Sequence, residues 1–98
     1  MKKEEVIRIL KENMEDIKKF GVKRIGIFGS VVRDEAGEKS DIDFVVEFEK
    51  GKKDFDNFIS LVFYLEKLFG RKVDLLTPES ISPYIKKYIM EEIIYESV

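Results

Sequence analysis

The spacing of apolar residues changes along the chain, and the changes predict four helices and three strands. Apolar residues three or four positions apart predict a first helix over residues 4–20, which ends at Gly21. A short apolar run then predicts a strand over residues 24–28. That strand leads into Gly29-Ser30, and residues 31–35 are expected to form a helical turn or a short helix.

A strict alternation of side chains predicts the second strand, over residues 40–48. Because successive side chains of a strand point to opposite faces, the alternation divides this segment into two sets. One set contains Asp41, Asp43, Val45 and Glu47. The other set, which we expect to face the core, contains Ile42, Phe44, Val46 and Phe48.

The second half of the chain repeats the helix and strand pattern. Asp54 is suited to cap a helix that runs to about Phe69 and ends at Gly70. A strand over residues 72–76 follows, with Asp74 and Leu76 on one face. The last helix is predicted from Ser82-Pro83 to about residue 96. The expected buried side chains of the 54–69 helix are Phe55, Phe58, Ile59, Val62, Leu65 and Phe69.

The resulting order, αβαβαβα, predicts an α/β (α+β) fold in which helices pack on one sheet. With 98 residues, the chain is expected to form a single domain over residues 1–98. Hydrophobic residues make up 44% and charged residues 39% of the chain, which is typical of a soluble globular protein. We expect a cytoplasmic protein, because the sequence contains neither a secretory signal nor an apolar run of membrane-spanning length.

The composition narrows the chemistry that is available. The sequence contains no cysteine and no histidine, so carboxylates are the plausible metal ligands and general bases. Oxygen ligands favour a hard cation, Mg²⁺ or Mn²⁺. The net charge of −2 argues against direct binding of nucleic acid, which normally requires clustered Lys and Arg.

Two groups of residues are candidates for a nucleotide site. Gly29 allows backbone amides to approach a phosphate closely, Ser30 offers a hydroxyl and an amide, and Arg33 lies on the same short segment. Each feature alone is more typical of a turn or of a surface ion pair.

Three aspartates form the second group. Asp41 and Asp43 are two positions apart, so their side chains share a face and can bind one metal ion. Asp74, on another strand, is the natural third carboxylate, either for a second metal ion or as the base that deprotonates a nucleophile. Solvated surface acids are the simpler explanation of each, and it is their occurrence together, in this order, that indicates a metal and phosphate site.

The motifs carry a family resemblance that spans almost the whole chain. They are Gly29-Ser30, Arg33, Glu35-Ala36, Ser40-Asp41-Ile42-Asp43 and Val73-Asp74-Leu75-Leu76. They resemble the minimal nucleotidyltransferases of the polymerase-beta-like superfamily, whose fold has a small mixed sheet packed by helices. The stretch from Pro83 to Ile93 is similar to the final helix of the antitoxins encoded beside HEPN-domain toxins.

This resemblance implies a specific activity and specific roles. In the family, the Gly-Ser pair contacts the nucleotide phosphates, the paired aspartates bind magnesium and the third acid completes the site. These roles fall on Gly29, Ser30, Asp41, Asp43 and Asp74. The activity implied is transfer of AMP from ATP to a tyrosine hydroxyl of a partner HEPN RNase toxin. The chain would then act as the antitoxin.

The sequence departs from the family pattern after the motif arginine, where Asp34 replaces a frequent glycine, and at Val31-Val32. Two other functions stay open at this point. One is a non-catalytic antitoxin that occludes its toxin, and the other is nucleotidyl transfer to a small molecule such as an aminoglycoside. The last segment bears on the first of these, because Tyr88, Ile94 and Tyr95 are either partner contacts or core residues.

Overall fold

A four-stranded mixed sheet forms the centre of the molecule in the computed structural model, which describes residues 1–37 and 39–97. The strands are β1 (Val22–Phe28), β2 (Ile42–Phe48), β3 (Val73–Leu76) and β4 (Ile94–Ser97). Their order in the sheet is β3-β2-β1-β4. β1 is antiparallel to both β2 and β4, whereas β2 and β3 are parallel. The predicted fold class is therefore confirmed.

Four helices pack on this sheet: α1 (Lys3–Glu12), α2 (Met14–Lys18), α3 (Phe55–Phe69) and α4 (Pro83–Glu92). A single 3₁₀ turn, Pro78–Ser80, precedes α4. The prediction of one helix over residues 4–20 is wrong, because Asn13 interrupts it. The Asn13 side-chain amide donates to the Ile9 carbonyl oxygen at 2.8 Å, and its backbone N–H donates to the Leu10 carbonyl oxygen at 3.1 Å. An asparagine that bonds to the backbone in this way competes with the helical pattern.

The predicted caps of α3 are confirmed, but its buried stripe differs from the prediction. Asp54 accepts a hydrogen bond from the Asn57 backbone N–H at 2.8 Å, and Gly70 ends the helix. Leu61 is buried with Leu65 and Phe69, whereas Phe55 is 76% exposed. Leu61 is six residues from Phe55, which is about 240° around a helix, so a stripe centred on Leu61 leaves Phe55 in solvent.

The largest difference concerns the end of the chain. The predicted last helix begins at Ser82-Pro83 as expected, but it ends at Glu92 rather than near residue 96. Residues 94–97 form β4, in which Ile94 pairs with Ile27 and Tyr95 with Gly26. Two β-branched residues and a tyrosine in succession are common in strands, and the free edge of β1 supplies the partner.

Side chains are buried on both faces of the sheet. The larger cluster includes Ile42, Phe44 and Val46 of β2, as predicted, together with buried side chains of α1, α2 and α3. A smaller cluster on the opposite face joins Val45 to Phe28 of β1 and Ile89 of α4. Helix α4 therefore covers part of the face that also carries Asp43, and it encloses the candidate site from one side.

Candidate active site

The sheet topology brings the sequence motifs to one end of neighbouring strands. Phe28, the last residue of β1, pairs with Asp43 of β2, so Gly29 follows directly beside that aspartate. Asp43 in turn pairs with Asp74 of the parallel strand β3. Neighbouring strands lie about 4.8 Å apart, so the two carboxylates are adjacent on the same face. Segments predicted independently thus form one constellation.

Gly29 lies so close to Asp43 that a side chain at its position would require the Asp43 carboxylate to move. Its φ of +77° is a left-handed conformation that favours glycine. A Cβ built on Gly29 would collide with Asp43 Oδ2 and would lie 3.0 Å from Asp43 Cγ. The backbone of the turn therefore directly contacts a predicted metal ligand, which places a phosphate-binding turn and a carboxylate site side by side.

The electrostatics of Asp43 reflect this crowding. Burial, followed by the nearby charges of Asp74 and Asp41, raises the pKa of Asp43 from 3.8 to about 6, with a smaller contribution from Glu92. The positive charge of Arg33 acts in the opposite direction. Like charges near a half-buried carboxylate favour its protonated form. A cation at this place would reverse that balance, which is a physical reason to expect one.

Arg33 lies on the turn, as predicted, and its partner is a residue to which the sequence reasoning gave no role. Arg33 Nη1 donates to both carboxylate oxygens of Glu92 at 3.1 Å, and Gly29 N donates to Glu92 Oε1 at 2.9 Å. Hydrogen bonds with Glu92, and more weakly with Glu35, raise the pKa of Arg33 above its ordinary value. Glu92 therefore belongs to the site.

Only part of the signal for Glu92 was present in the sequence, because the register of β4 on β1 comes from the structure. The run Ile93-Ile94-Tyr95 indicates a strand, and extending the pairing of Ile94 with Ile27 by two residues brings Glu92 to Gly29. The prediction of a helix through residue 96 concealed this register.

The other predicted site residues occupy the rim. Ser30 is half-buried, and its carbonyl oxygen accepts the Glu35 backbone N–H at 2.8 Å. Residues 31–34 form turns in which the Arg33 backbone N–H donates to the Gly29 carbonyl oxygen at 3.1 Å, which is the expected helical turn. Asp41 and Asp74 are both exposed. Asp41 immediately precedes β2 and lines a groove of about 200 Å³. That groove is lined by Lys39, Ser40, Asp41, Gly70, Arg71 and Lys72.

The donor set fits a hard cation, although the ligands are not fully assembled. In the described ranges 1–37 and 39–97, no three Asp or Glu side chains are grouped closely enough to hold a metal ion. Asp43 and Asp74 are nevertheless cross-strand neighbours, Asp41 and Asp74 are exposed, and the charges of both act on Asp43. Carboxylate oxygens are the ligands that Mg²⁺ and Mn²⁺ prefer.

Asp34, the departure from the family pattern, has a clear conformational meaning. Its φ is +58°, and its side chain is exposed. Aspartate is among the few residues other than glycine that adopt this conformation with modest strain. The position thus requires a left-handed backbone, which explains a preference for glycine there.

A second groove, of about 320 Å³, lies toward the other end of β1 and β2. Arg24, Glu47 and Tyr95 line it, with the Arg24 guanidinium 3.7 Å from the centre of the Tyr95 ring. It contains none of the predicted site residues. Among the helices of the described chain, none is both long and apolar enough to cross a membrane.

A glycine-serine turn thus lies beside adjacent aspartates on a small mixed sheet, the arrangement expected of a nucleotidyltransferase fold. The sequence matches the profile of the nucleotidyltransferase domain family over residues 6–95, and the chain belongs to this family. The family resemblance inferred from the motifs is thereby confirmed.

The relatives extend this assignment. Protein adenylyltransferase MntA of Thermococcus cleftensis is 42% identical over 93 residues, which cover 94% of this chain and 93% of the relative. A solved structure assigned provisionally as a minimal nucleotidyltransferase is 31% identical and superimposes with a TM-score of 0.80, covering 96% of this chain and 95% of that one.

Two more distant structures share the fold, and both contain a toxin and an antitoxin. One is a toxin-antitoxin complex with AMP-PNP, with a TM-score of 0.66 and 21% identity, covering 97% of this chain and 72% of that one. The other is a tri-AMPylated Shewanella oneidensis HEPN toxin with its MNT antitoxin. It has a TM-score of 0.56 and 21% identity, and the match covers 94% of this chain and 66% of that one.

Proposed function

We propose that this chain is a protein adenylyltransferase that transfers AMP from ATP to a tyrosine hydroxyl of a partner HEPN-domain toxin and so acts as its antitoxin. The observation that carries the proposal is the contact between Gly29 and Asp43, which joins the phosphate-binding turn to the carboxylates. Membership of the nucleotidyltransferase family and the 42% identity to an adenylyltransferase support the reaction class.

Each predicted residue has a role in this reaction. The backbone amides at Gly29 and Ser30 and the Arg33 guanidinium would bind the phosphates of ATP. Asp41, Asp43 and Asp74 would hold Mg²⁺, or Mn²⁺, which neutralises charge on the phosphates when it is bound. The pKa of about 6 for Asp43 without a cation supports this arrangement, because burial and the negative charges of Asp74 and Asp41 oppose the ionised form of that carboxylate.

For the transfer itself, the protein mainly has to position ATP and the tyrosine hydroxyl, and it forms no covalent bond to either. The tyrosine oxygen attacks the α-phosphorus, a new phosphorus–oxygen bond forms, and the bond to the bridging oxygen of the leaving pyrophosphate breaks. The hydroxyl proton passes to one of the three aspartates, which lie at the same end of the sheet as the turn. The protein substrate would approach from the open side, because Asp41 and Asp74 are exposed.

Non-catalytic occlusion of the toxin is a second candidate, and exposed side chains on α4 supply the docking surface that it requires. Helix α4 exposes an unusual concentration of large side chains, with Tyr84 89%, Tyr88 65% and Ile85 51% exposed. Such a surface suits contact with a partner protein. Ile94 and Tyr95, by contrast, are half-buried on β4, so they are poorer candidates for this contact. Docking through α4 is compatible with either candidate, and only the fate of the partner separates them.

Intact-mass spectrometry of the toxin encoded by the adjacent gene, co-expressed with this chain, tests the proposal. We expect mass gains of whole AMP units with the unmutated chain and none with Asp41→Ala/Asp43→Ala. The matched control is Glu15→Ala/Asp56→Ala, which removes two exposed acids from α2 and α3 and should leave the modification intact. A toxin that co-purifies unmodified with the unmutated chain would establish occlusion instead.

A further inference from the structure

Glu92 occupies the place where the proposed function puts a phosphate. It is the last residue of α4, and its side chain is 23% exposed. One of its oxygens accepts the Gly29 N–H at 2.9 Å, and both accept from Arg33 Nη1 at 3.1 Å. These are charge-assisted hydrogen bonds between a carboxylate and the donors that recognise phosphate oxygens elsewhere.

A phosphate and the Glu92 carboxylate cannot both accept from the Gly29 amide. A backbone amide has one hydrogen to donate, and the Gly29 amide directs it at Glu92 Oε1. A phosphate placed beside the carboxylate would also meet a like charge at short range, and at 4 Å such a pair repels appreciably even at an effective dielectric of about 20. Nucleotide binding at this turn therefore requires the Glu92 carboxylate to leave.

The fold allows this movement without disturbing the sheet. Glu92 lies at the junction of α4 and β4, and the pairing of β4 with β1 begins two residues later, at Ile94. The Ile93 backbone N–H closes the helix on the Ile89 carbonyl oxygen at 2.9 Å, so the backbone on either side is already fixed. Rotation of one glutamate side chain is sufficient to free both donors.

We propose that Glu92 is an affinity-determining residue of the nucleotide site, whose carboxylate fills the phosphate position at Gly29 and Arg33 until a nucleotide displaces it. This inference rests on the proposed function, because it takes Gly29 and Arg33 to be the phosphate-binding groups. Displacement lowers the apparent affinity for nucleotide, because binding includes breaking the Glu92 contacts. The Glu92 contacts also hold Arg33 and Gly29 in place when no nucleotide is bound.

Calorimetric titration with AMP-PNP and Mg²⁺ tests the inference on the full chain, on Glu92→Gln and on Glu91→Gln. Glutamine keeps the size of the side chain but removes its charge, so we expect Glu92→Gln to bind roughly tenfold more tightly than the unmutated chain. Glu91 is the matched control, since it is an exposed neighbour on the same helix, and its variant should bind within about twofold of the unmutated chain.

The possible results separate the two proposals. Glu92→Gln binding that is equal to or weaker than that of the unmutated chain would overturn the role of Glu92 and leave the nucleotide site intact. If none of the three proteins bound AMP-PNP, the proposed function would fail as well. A second measurement needs no variant. The Gly29 amide resonance of the ¹⁵N-labelled chain should shift on saturation with AMP-PNP, and an unmoved resonance would refute displacement at that amide.

Discussion

Replacing Gly29 with alanine tests the central contact of the site. The substitution has two separable costs. Alanine at a φ of +77° carries a conformational penalty of about 1–2 kcal/mol. Its Cβ would also collide with Asp43 Oδ2 and lie 3.0 Å from Asp43 Cγ. Forcing an atom into an occupied space typically adds about 1–3 kcal/mol. We therefore expect Gly29→Ala to lower the free energy of unfolding by about 2–5 kcal/mol.

Gly51→Ala is the matched control, because it carries the conformational penalty of a positive φ without the collision. Gly51 has a φ of +80°, almost the same as Gly29, but no atom lies within 4 Å of a Cβ built on it. Urea unfolding followed by circular dichroism should show a larger loss for Gly29→Ala than for Gly51→Ala, by the 1–3 kcal/mol of the collision. In a domain of this size, the full loss corresponds to a decrease in Tm of about 10 °C or more.

A double-mutant cycle identifies the colliding group. If the Asp43 carboxylate is the obstacle, Asp43→Ala in the Gly29→Ala background should recover most of the additional loss, because the oxygen and Cγ are then gone. Equal losses for Gly29→Ala and Gly51→Ala, with no coupling to Asp43, would refute the close contact. The turn and the Asp43 carboxylate would then not be in contact.

Three further predictions follow from the site. Without a metal ion, the raised pKa of Asp43 means that its folded form keeps a proton to about pH 6 while the unfolded form ionises near 3.8. The contribution of Asp43 to the free energy of unfolding is therefore full below pH 3.8 and is lost as pH rises through 6. Urea titrations from pH 4 to 7 should show the unmutated chain losing about 1–2 kcal/mol relative to Asp43→Asn, a figure already reduced for solvent screening. Millimolar Mg²⁺ should raise the Tm of the unmutated chain and not that of Asp41→Ala/Asp43→Ala. A Tm of the unmutated chain that is the same with and without Mg²⁺, whether or not ATP is present, would contradict a metal site. Asp34→Gly should keep full AMP transfer to the toxin and increase unfolding free energy by up to about 1 kcal/mol, since glycine relieves the left-handed φ of +58°; a loss of transfer would show that the Asp34 carboxylate takes part.

Local signals were sufficient for most of the fold. The alternation along β2 predicted which side chains face the larger core cluster. With a period of two, assigning one residue to a face assigns every other residue of the strand as well. Asp54 and Gly70 bounded α3 correctly, because caps act through hydrogen bonds to adjacent residues. The break at Asn13 was missed, because a helix-favouring apolar spacing continues through it and only the side-chain bond to Ile9 distinguishes the site.

Long-range pairing was not predictable in the same way. Residues 94–97 have no preference strong enough to exclude helix, and they become a strand because the edge of β1 is available to them. The same limitation applies to the site. Gly29, Asp43 and Asp74 were identified from motif order, whereas Glu92 became visible only through the β4 pairing, which depends on residues more than sixty positions earlier in the chain.

The late position of Glu92 in the chain also bears on how the site is assembled. Gly29 and Arg33 belong to the turn after β1, yet the group that holds them comes from the junction of α4 and β4. The arrangement of Gly29 and Arg33 without nucleotide therefore depends on Glu92, which lies where α4 joins the strand that pairs with β1. Glu92 is four residues, or about one helical turn, beyond Tyr88 on the same helix. The Glu92 contacts with Gly29 and Arg33 and the exposed tyrosines thus belong to one helix, α4.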